Sequence, residues 1–320
     1  MSTSIIPFDT RKPWGHLAPS GWRRAIIKIC QCLPATFGFF YTLNKGLRGP
    51  IKSAGPRFFD VEVLGLRLRL LTRGNYCETT ALFAPQFYDA EEFGWLKSRL
   101  GQHSVFVDIG GNVGLYSLVA AASYPGARVV TVEPNLELLE RLRFNAATNN
   151  LQPEICETAL SDYQGSGELE QSVVQSGQNY LATTGNREEA GSAVEFGDIH
   201  ALNTEHNIEG ITEHNTEGNT KNSTENSTAN RLQSMAVPVT TLHAVCEEMN
   251  LTRIDLLKID IEGHELRVLE HFIKTADESL YPINIIIEHV HDRDGIVNML
   301  IDTAGYNVAE KSARNVLLVR

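Results

Sequence analysis

Residues 105–117, VFVDIGGNVGLYS, pass from a short apolar strand through a glycine-rich turn into an apolar helical segment. A chain that carries this passage must build a sheet in which a buried strand feeds directly into a helix. Downstream the pattern repeats. Strand-like runs fall near 105–109, 128–132, 154–160, 255–260, 283–288, 306–309 and 315–319. Helical periodicity fills most gaps: Leu115, Leu118, Val119 and Ala122 share a face, as do Leu136, Leu139 and Leu142, then Leu266, Leu269 and Phe272, and finally Ile296, Val297, Leu300 and Ile301. Asp292 is placed to cap the last of these helices and Gly305 to stop it. The expected class is α/β, a largely parallel sheet with helices on both faces.

Three regions stand outside this alternation. Phe58 to Leu71 reads as a β-hairpin: Val61, Val63, Leu66, Leu68 and Leu70 alternate with Glu62, Arg67 and Arg69 around a turn at Leu64-Gly65. The first 57 residues form a basic, partly helical extension, and 58–104 a hairpin and helical cap leading into a core at 105–320. Pro7, Pro13 and Pro19 argue against a secretory leader. The apolar stretch Trp22–Leu43 is broken by Arg23, Arg24, Lys28, Gln31 and Pro34, so it does not read as a membrane span. Up to Lys52 this region holds eight Lys or Arg against the single acid Asp9, which suits a solvated helical flap, a partner surface or peripheral contact with an anionic membrane. Residues 200–231 contain a degenerate Thr/Asn/Glu repeat with almost no apolar side chain, the composition of a disordered insertion. The sequons at Asn222 and Asn226 follow from that repeat composition.

The net charge of −11 disfavours an extended nucleic-acid surface, whose affinity draws on Lys and Arg. Cys30, Cys32, Cys77, Cys156 and Cys246 lack zinc-site spacing and read as reduced thiols of a cytoplasmic protein.

Gly110, Gly111 and Gly114 let the backbone approach a ligand closely at the carboxyl end of the first core strand, where open α/β sheets bind cofactors. The spacing departs from the GxGxxG dinucleotide fingerprint. Asp108, just before the turn, repels a pyrophosphate and suits a cation, such as the sulfonium and ammonium of S-adenosylmethionine. Glu133 closes the second strand, where an acid can accept hydrogen bonds from ribose hydroxyls. Asp162, after Ala159-Leu-Ser161, is placed to read an adenine amino group or to form a turn. In LLKIDIEGHE, Asp260 ends a strand and Glu262, His264 and Glu265 open a helix, a density of titratable groups that marks an active-site rim. Glu288, His289 and His291 follow the next strand as further rim residues, without the spacing of a metal motif.

Together VDIGGNVGLYS, VEPN with a following Asn145, ALSD and LLKIDIEGHE resemble the FkbM-type methyltransferases over about residues 75–320. The resemblance implies a Rossmann-like class I methyltransferase sheet, seven-stranded and mainly parallel with its last strand antiparallel. It implies S-adenosylmethionine as cofactor and methyl transfer to a hydroxyl of a small-molecule or glycan acceptor. It assigns Asp108, Gly110, Asn112 and Gly114 to the cofactor's amino-acid end, Glu133 to the ribose, and Ser161 with Asp162 to the adenine side. Asp260 and Glu262 fall near the methyl group, with Asp260 or His264 as general base. The alternatives are an NAD(P)-dependent oxidoreductase or epimerase and a non-catalytic adenosylmethionine-binding protein. Asn112 and Asp108 argue against the first, and the dense rim at 260–265 against the second.

Overall fold

The computed structural model describes residues 8–35, 38–172, 179–181, 232–289 and 295–320. The expected insertion at 200–231, the two sequons, His291 and Asp292 lie outside the described residues.

The chain opens with helices α1 (Gly21–Cys32) and α2 (Gly38–Ala54), the hairpin β1 (Phe58–Val63) and β2 (Leu66–Leu71), and helices α3 (Tyr76–Phe83) and α4 (Ala90–Arg99). The core follows as β3 (Val105–Ile109), α5 (Leu115–Ser123), β4 (Arg128–Val132), α6 (Leu136–Thr148) and β5 (Glu154–Cys156). A side sheet comprises β6 (Ala159–Leu160), β7 (Gly165–Ser172), β8 (Asn179–Leu181) and β9 (Leu232–Thr240). The chain then returns to the core through α7 (Leu242–Glu248), β10 (Leu256–Ile259), α8 (Glu265–Thr275), β11 (Asn284–Glu288), α9 (Ile296–Ala304), β12 (Asn307–Lys311) and β13 (Asn315–Val319).

The main sheet has seven strands in the order β12-β13-β11-β10-β3-β4-β5. Strands β5, β4, β3, β10 and β11 are mutually parallel, and the final strand β13 inserts antiparallel between β11 and β12. This is the class I methyltransferase arrangement that the resemblance implies. Because both faces are covered, the strands read as continuous apolar runs, and alternate residues enter different cores. Phe106, Leu256, Ile286 and Leu317 face one side, while Val107, Leu257, Ile285 and Ile287 face the other. The first core also contains Ile27, Cys30 and Ile51 of the amino-terminal helices, Leu68 of the hairpin and Leu82 of α3, so the extension completes one face of the sheet.

Several local expectations change. The run 154–160 is two strands: β5 joins the main sheet, whereas β6 pairs in parallel with β9 in the side sheet. A strand on one flat surface cannot serve two sheets, and the break between Cys156 and Ala159 resolves the conflict. Leu136, the first residue of α6, is exposed, and so is Ala122 at the end of α5. Helix α9 is preceded at its N-cap position by Gly295, whose φ of 71° provides the turn. Gly305 does end it, its N–H reaching the carbonyls of Ile301 and Leu300.

The hairpin has the expected strands, with Leu64 and Gly65 both at positive φ in its turn. Its polar face is solvent-facing at Glu62 and Arg67 but not at Arg69. Arg69, assigned to that face by alternation, is completely buried opposite Asp60, with Nε–Oδ1 2.6 Å and Nη2–Oδ2 3.0 Å. Residues 9–17 cover it: Arg69 donates to the carbonyls of Asp9, Lys12 and Pro13, and Asp60 accepts from the amides of Gly15 and Leu17. On the other side, Asn145 and Asn149 of α6 accept from the amides of Arg69 and Arg67, closing the hydrogen-bonding edge of β2.

A buried ion pair with all its valences occupied is costly to break from one side, because the remaining charge stays desolvated. Arg69→Met is therefore expected to lower unfolding free energy by about 3–5 kcal/mol in urea titration, with Asp60→Leu in the same chain recovering much of the loss. A single-variant loss below about 1 kcal/mol would show that the pair does not hold the strap.

Candidate functional site

The carboxyl ends of β3, β4 and β10 meet at the glycine turn. The amides of Gly110 and Gly111 both donate to the carbonyl of Val132, and the amide of Asp260 donates to the carbonyl of Ile109. A Cβ on Gly110, whose φ is +75°, would lie 1.9 Å from the Asp260 carbonyl oxygen. One on Gly111 would lie 2.2 Å from Thr131 Cγ2, and one on Gly114 2.9 Å from Leu142 Cγ. Each glycine is thus required by the protein's own packing, in addition to any ligand contact. Asn112, at φ 52°, holds its left-handed turn by accepting from the Val113 amide and from Asn75 Nδ2.

Glu133 is buried at the tip of β4. Its Oε2 accepts from the Asn112 amide and its Oε1 from the Asn135 amide, both at 2.9 Å. Burial pushes its carboxyl up to about 7, against the pull of those two amides. Asp108 is also buried. Its Oδ2 accepts from the Ser117 amide and hydroxyl, while Oδ1 has no hydrogen-bond partner among the described residues. Burial raises its pKa too, opposed by the Lys258 ammonium and Ser117.

Lys258 is the centre that sequence reasoning left unassigned. It lies in an apolar strand, 92% removed from solvent, with Nζ 3.6 Å from Asp260 Oδ2 and 4.9 Å from the centroid of the Tyr116 ring. Burial alone would lower its pKa, but the carboxylates of Asp260, Asp108 and Asp89 more than offset this and raise it. Asp89 was also missed. It sits at φ 42° ahead of α4, accepts from the Tyr116 hydroxyl at 2.9 Å, and is pushed up to about 6 by burial and by Glu92. The signal for Lys258 was its interruption of LLKIDI, where a cation in a core strand needs carboxylates around it. Asp89 carried no such signal.

The 260–265 segment divides by role. The Asp260 side chain is half exposed. Glu262 is held at φ 55° beside Gly263 at φ 99°, a strained pair at the rim. Its pKa is raised by loss of hydration and by Asp260, Glu288 and Glu265. Glu265 caps its own loop, accepting from the amides of Ile261 and Gly263. His264 is buried, not a surface residue. Nε2 meets the Leu181 carbonyl at 3.0 Å, which requires the proton there and leaves the unpartnered Nδ1 as the basic nitrogen. Burial lowers its pKa, against the Leu181 carbonyl.

Ser161 is buried and donates to Asp162 Oδ1, at the end of β6 in the side sheet rather than on a main-sheet strand. Asp162 acts electrostatically on His264, so these two segments are brought together. Of the second rim cluster, Glu288 pairs with Arg314 at 3.0 Å and His289 Nε2 faces the Ser312 carbonyl at 3.1 Å.

The chain matches the family model described as the methyltransferase FkbM domain over residues 108–308. It is 31% identical over 222 residues to the AMB antimetabolite synthetase AmbE of Pseudomonas aeruginosa, a match spanning 69% of this chain and a tenth (10%) of that far longer protein. It is 27% identical over 201 residues to the 31-O-demethyl-FK506 methyltransferase FkbM of Streptomyces tacrolimicus, covering 62% of this chain and 69% of that one. Among solved structures, a caffeoyl-CoA O-methyltransferase homologue from Staphylococcus aureus superposes with a TM-score of 0.40 at 12% identity, over 77% of this chain and 92% of that one.

Two outcomes follow from this geometry. Gly110→Ala is expected to destabilise the fold by at least about 2 kcal/mol in thermal or urea unfolding, since it adds both a backbone clash and an unfavourable φ. Glu133 binds its proton more tightly folded than unfolded. Its contribution is therefore fully present below about pH 4.5 and is lost as pH rises through about 7. Across that window stability should fall, by an amount on the order of 3 kcal/mol for this group, and Glu133→Gln should flatten the profile. An unchanged slope in the variant would refute the assignment.

Proposed function

This chain belongs to the FkbM methyltransferase family, and on that premise we propose that it transfers a methyl group from S-adenosylmethionine to a hydroxyl oxygen of a carbohydrate or secondary-metabolite acceptor. The observation that carries the reading is the lock between Gly110 and the Asp260 carbonyl, which sets a half-exposed carboxylate directly beside the glycine turn.

The donor set suits the cofactor. Asp108 offers a buried, unpartnered carboxylate oxygen to a cationic amino-acid end. Each Glu133 oxygen accepts one amide and keeps capacity for a ribose hydroxyl. Asn112 and the glycines shape the turn, and Ser161 with Asp162 stand on the adenine side. When bound, the cofactor supplies an electrophilic methyl group. The residues of this chain then have to position the acceptor, exclude water and take a proton. Asp260 is the group most open to an acceptor hydroxyl, and Lys258 beneath it fixes the carboxylate. Glu262, with its raised pKa, serves as a rim hydrogen-bond donor. His264, neutral and tied to Leu181, positions the side sheet against the rim. The acceptor class draws support from the Streptomyces relative, which is named as a 31-O-demethyl-FK506 methyltransferase.

Calorimetry with S-adenosylmethionine, NAD⁺ and NADP⁺ tests the cofactor. Binding of the first alone is expected, weakened at least about tenfold in Glu133→Ala, the loss of one charged hydrogen-bonding group. Preferential binding of a nicotinamide cofactor would sink the proposal. With an acceptor in hand, Asp260→Asn should lower kcat by about 10²–10⁴-fold while leaving S-adenosylmethionine affinity within a few-fold. Full turnover in that variant would remove Asp260 as the base.

A further inference from the structure

The amino-terminal helices present a surface that the core does not use. Helix α1 buries Ile27 and Cys30, and α2 buries Asn44, Arg48 and Ile51. Asn44 joins them, donating from Nδ2 to the carbonyls of Cys30 and, on α3, Phe83. The opposite faces stay open. Trp22 and Ile29, two helical turns apart, are each 51% exposed, and Phe39 and Leu43, one turn apart, are 70% and 38% exposed. These are four of the nine large apolar side chains left exposed among the described residues, concentrated within 22 positions.

The charge around them is equally uneven. Between Asp9 and Asp60 the sequence has nine Lys or Arg and no acid, in a chain of net charge −11. Arg24 and Lys28 of α1 and Lys45 of α2 are exposed. The Arg23 guanidinium lies 5.0 Å from the centroid of the Trp22 ring, and Lys45 Nζ lies 5.0 Å from that of Tyr41. Exposed aromatic and aliphatic residues on a helix that also carries exposed cations are what it needs to lie in a bilayer interface, apolar groups among the acyl chains and cations at the phosphates. No helix among the described residues is long and apolar enough to cross a membrane. A protein partner would more simply match an acidic patch, but four protruding apolar side chains call for a medium that accepts them without shape complementarity.

We propose that the outer face of α1 and α2 docks on an anionic phospholipid bilayer.

The test is flotation of the full-length chain with vesicles of phosphatidylcholine alone and of phosphatidylcholine with phosphatidylglycerol. Flotation with the anionic vesicles, reduced by salt and accompanied by a blue shift of tryptophan emission that Trp22→Phe removes, is the expected result. Arg24→Glu with Lys28→Glu should weaken partitioning by about tenfold or more, and Trp22→Ser with Phe39→Ser should do the same while circular dichroism stays unchanged. Failure to float with anionic vesicles overturns the proposal, as does flotation indifferent to both paired variants. Concentration-dependent self-association that the Trp22/Phe39 variant abolishes, without flotation, would assign the face to a second copy of the chain instead.

Discussion

The approach of the Gly110 turn to the carbonyl of Asp260 is the constraint on which the site depends. Two strands that are neighbours in the sheet, β3 and β10, end in different loops, one a glycine turn and the other bearing carboxylates. Their separation is set at van der Waals contact by the absence of a single side chain. The Asp260 amide bonded to the Ile109 carbonyl continues the sheet ladder up to that point, so the rim inherits the rigidity of the sheet. Catalytic geometry placed on strand ends in this way is held more tightly than geometry on free loops.

Charge is organised around that contact. Lys258 sits under three carboxylates, Asp260, Asp108 and Asp89, and the buried acids nearby are left with raised pKa values. Arg314 also acts on Asp89 and Asp260, yet the buried Asp108 and Asp89 keep raised pKa values because they are desolvated. A ligand bearing a cationic centre would relieve that cost. The amino-terminal region contributes to the same economy differently, spending its own buried pair, Asp60 and Arg69, on fastening residues 9–17 over the hairpin.

Much of this was legible in the sequence, for physical reasons. Strands buried on both faces must be continuously apolar, so the positions of β3, β4, β10, β11 and β13 were plain. The glycine turn and the acids at strand tips follow from where a doubly wound sheet opens. Alternation failed at Arg69 because it reports that two faces differ, not that the second face is later covered by a distant segment. It failed again at 154–160, where a period of two cannot register a strand that changes sheets between Cys156 and Ala159. The sequence placed His264 on the rim as a candidate base, but nothing local announces that it is buried under the carbonyl of Leu181, 83 positions earlier. Asp89 joins the site through Tyr116, a contact across 27 residues that no motif encodes.

The side sheet has a consequence for the repeat-bearing segment between β8 and β9. Strand β7 pairs with both, and its Leu169 stands opposite Leu181 on one side and Met235 on the other. The chain thus leaves and re-enters at neighbouring points of one strand. The entropy of closing a segment between two fixed points grows only with the logarithm of its length. Tandem duplication or loss of repeat units in the coding sequence would therefore leave the framework nearly unpenalised.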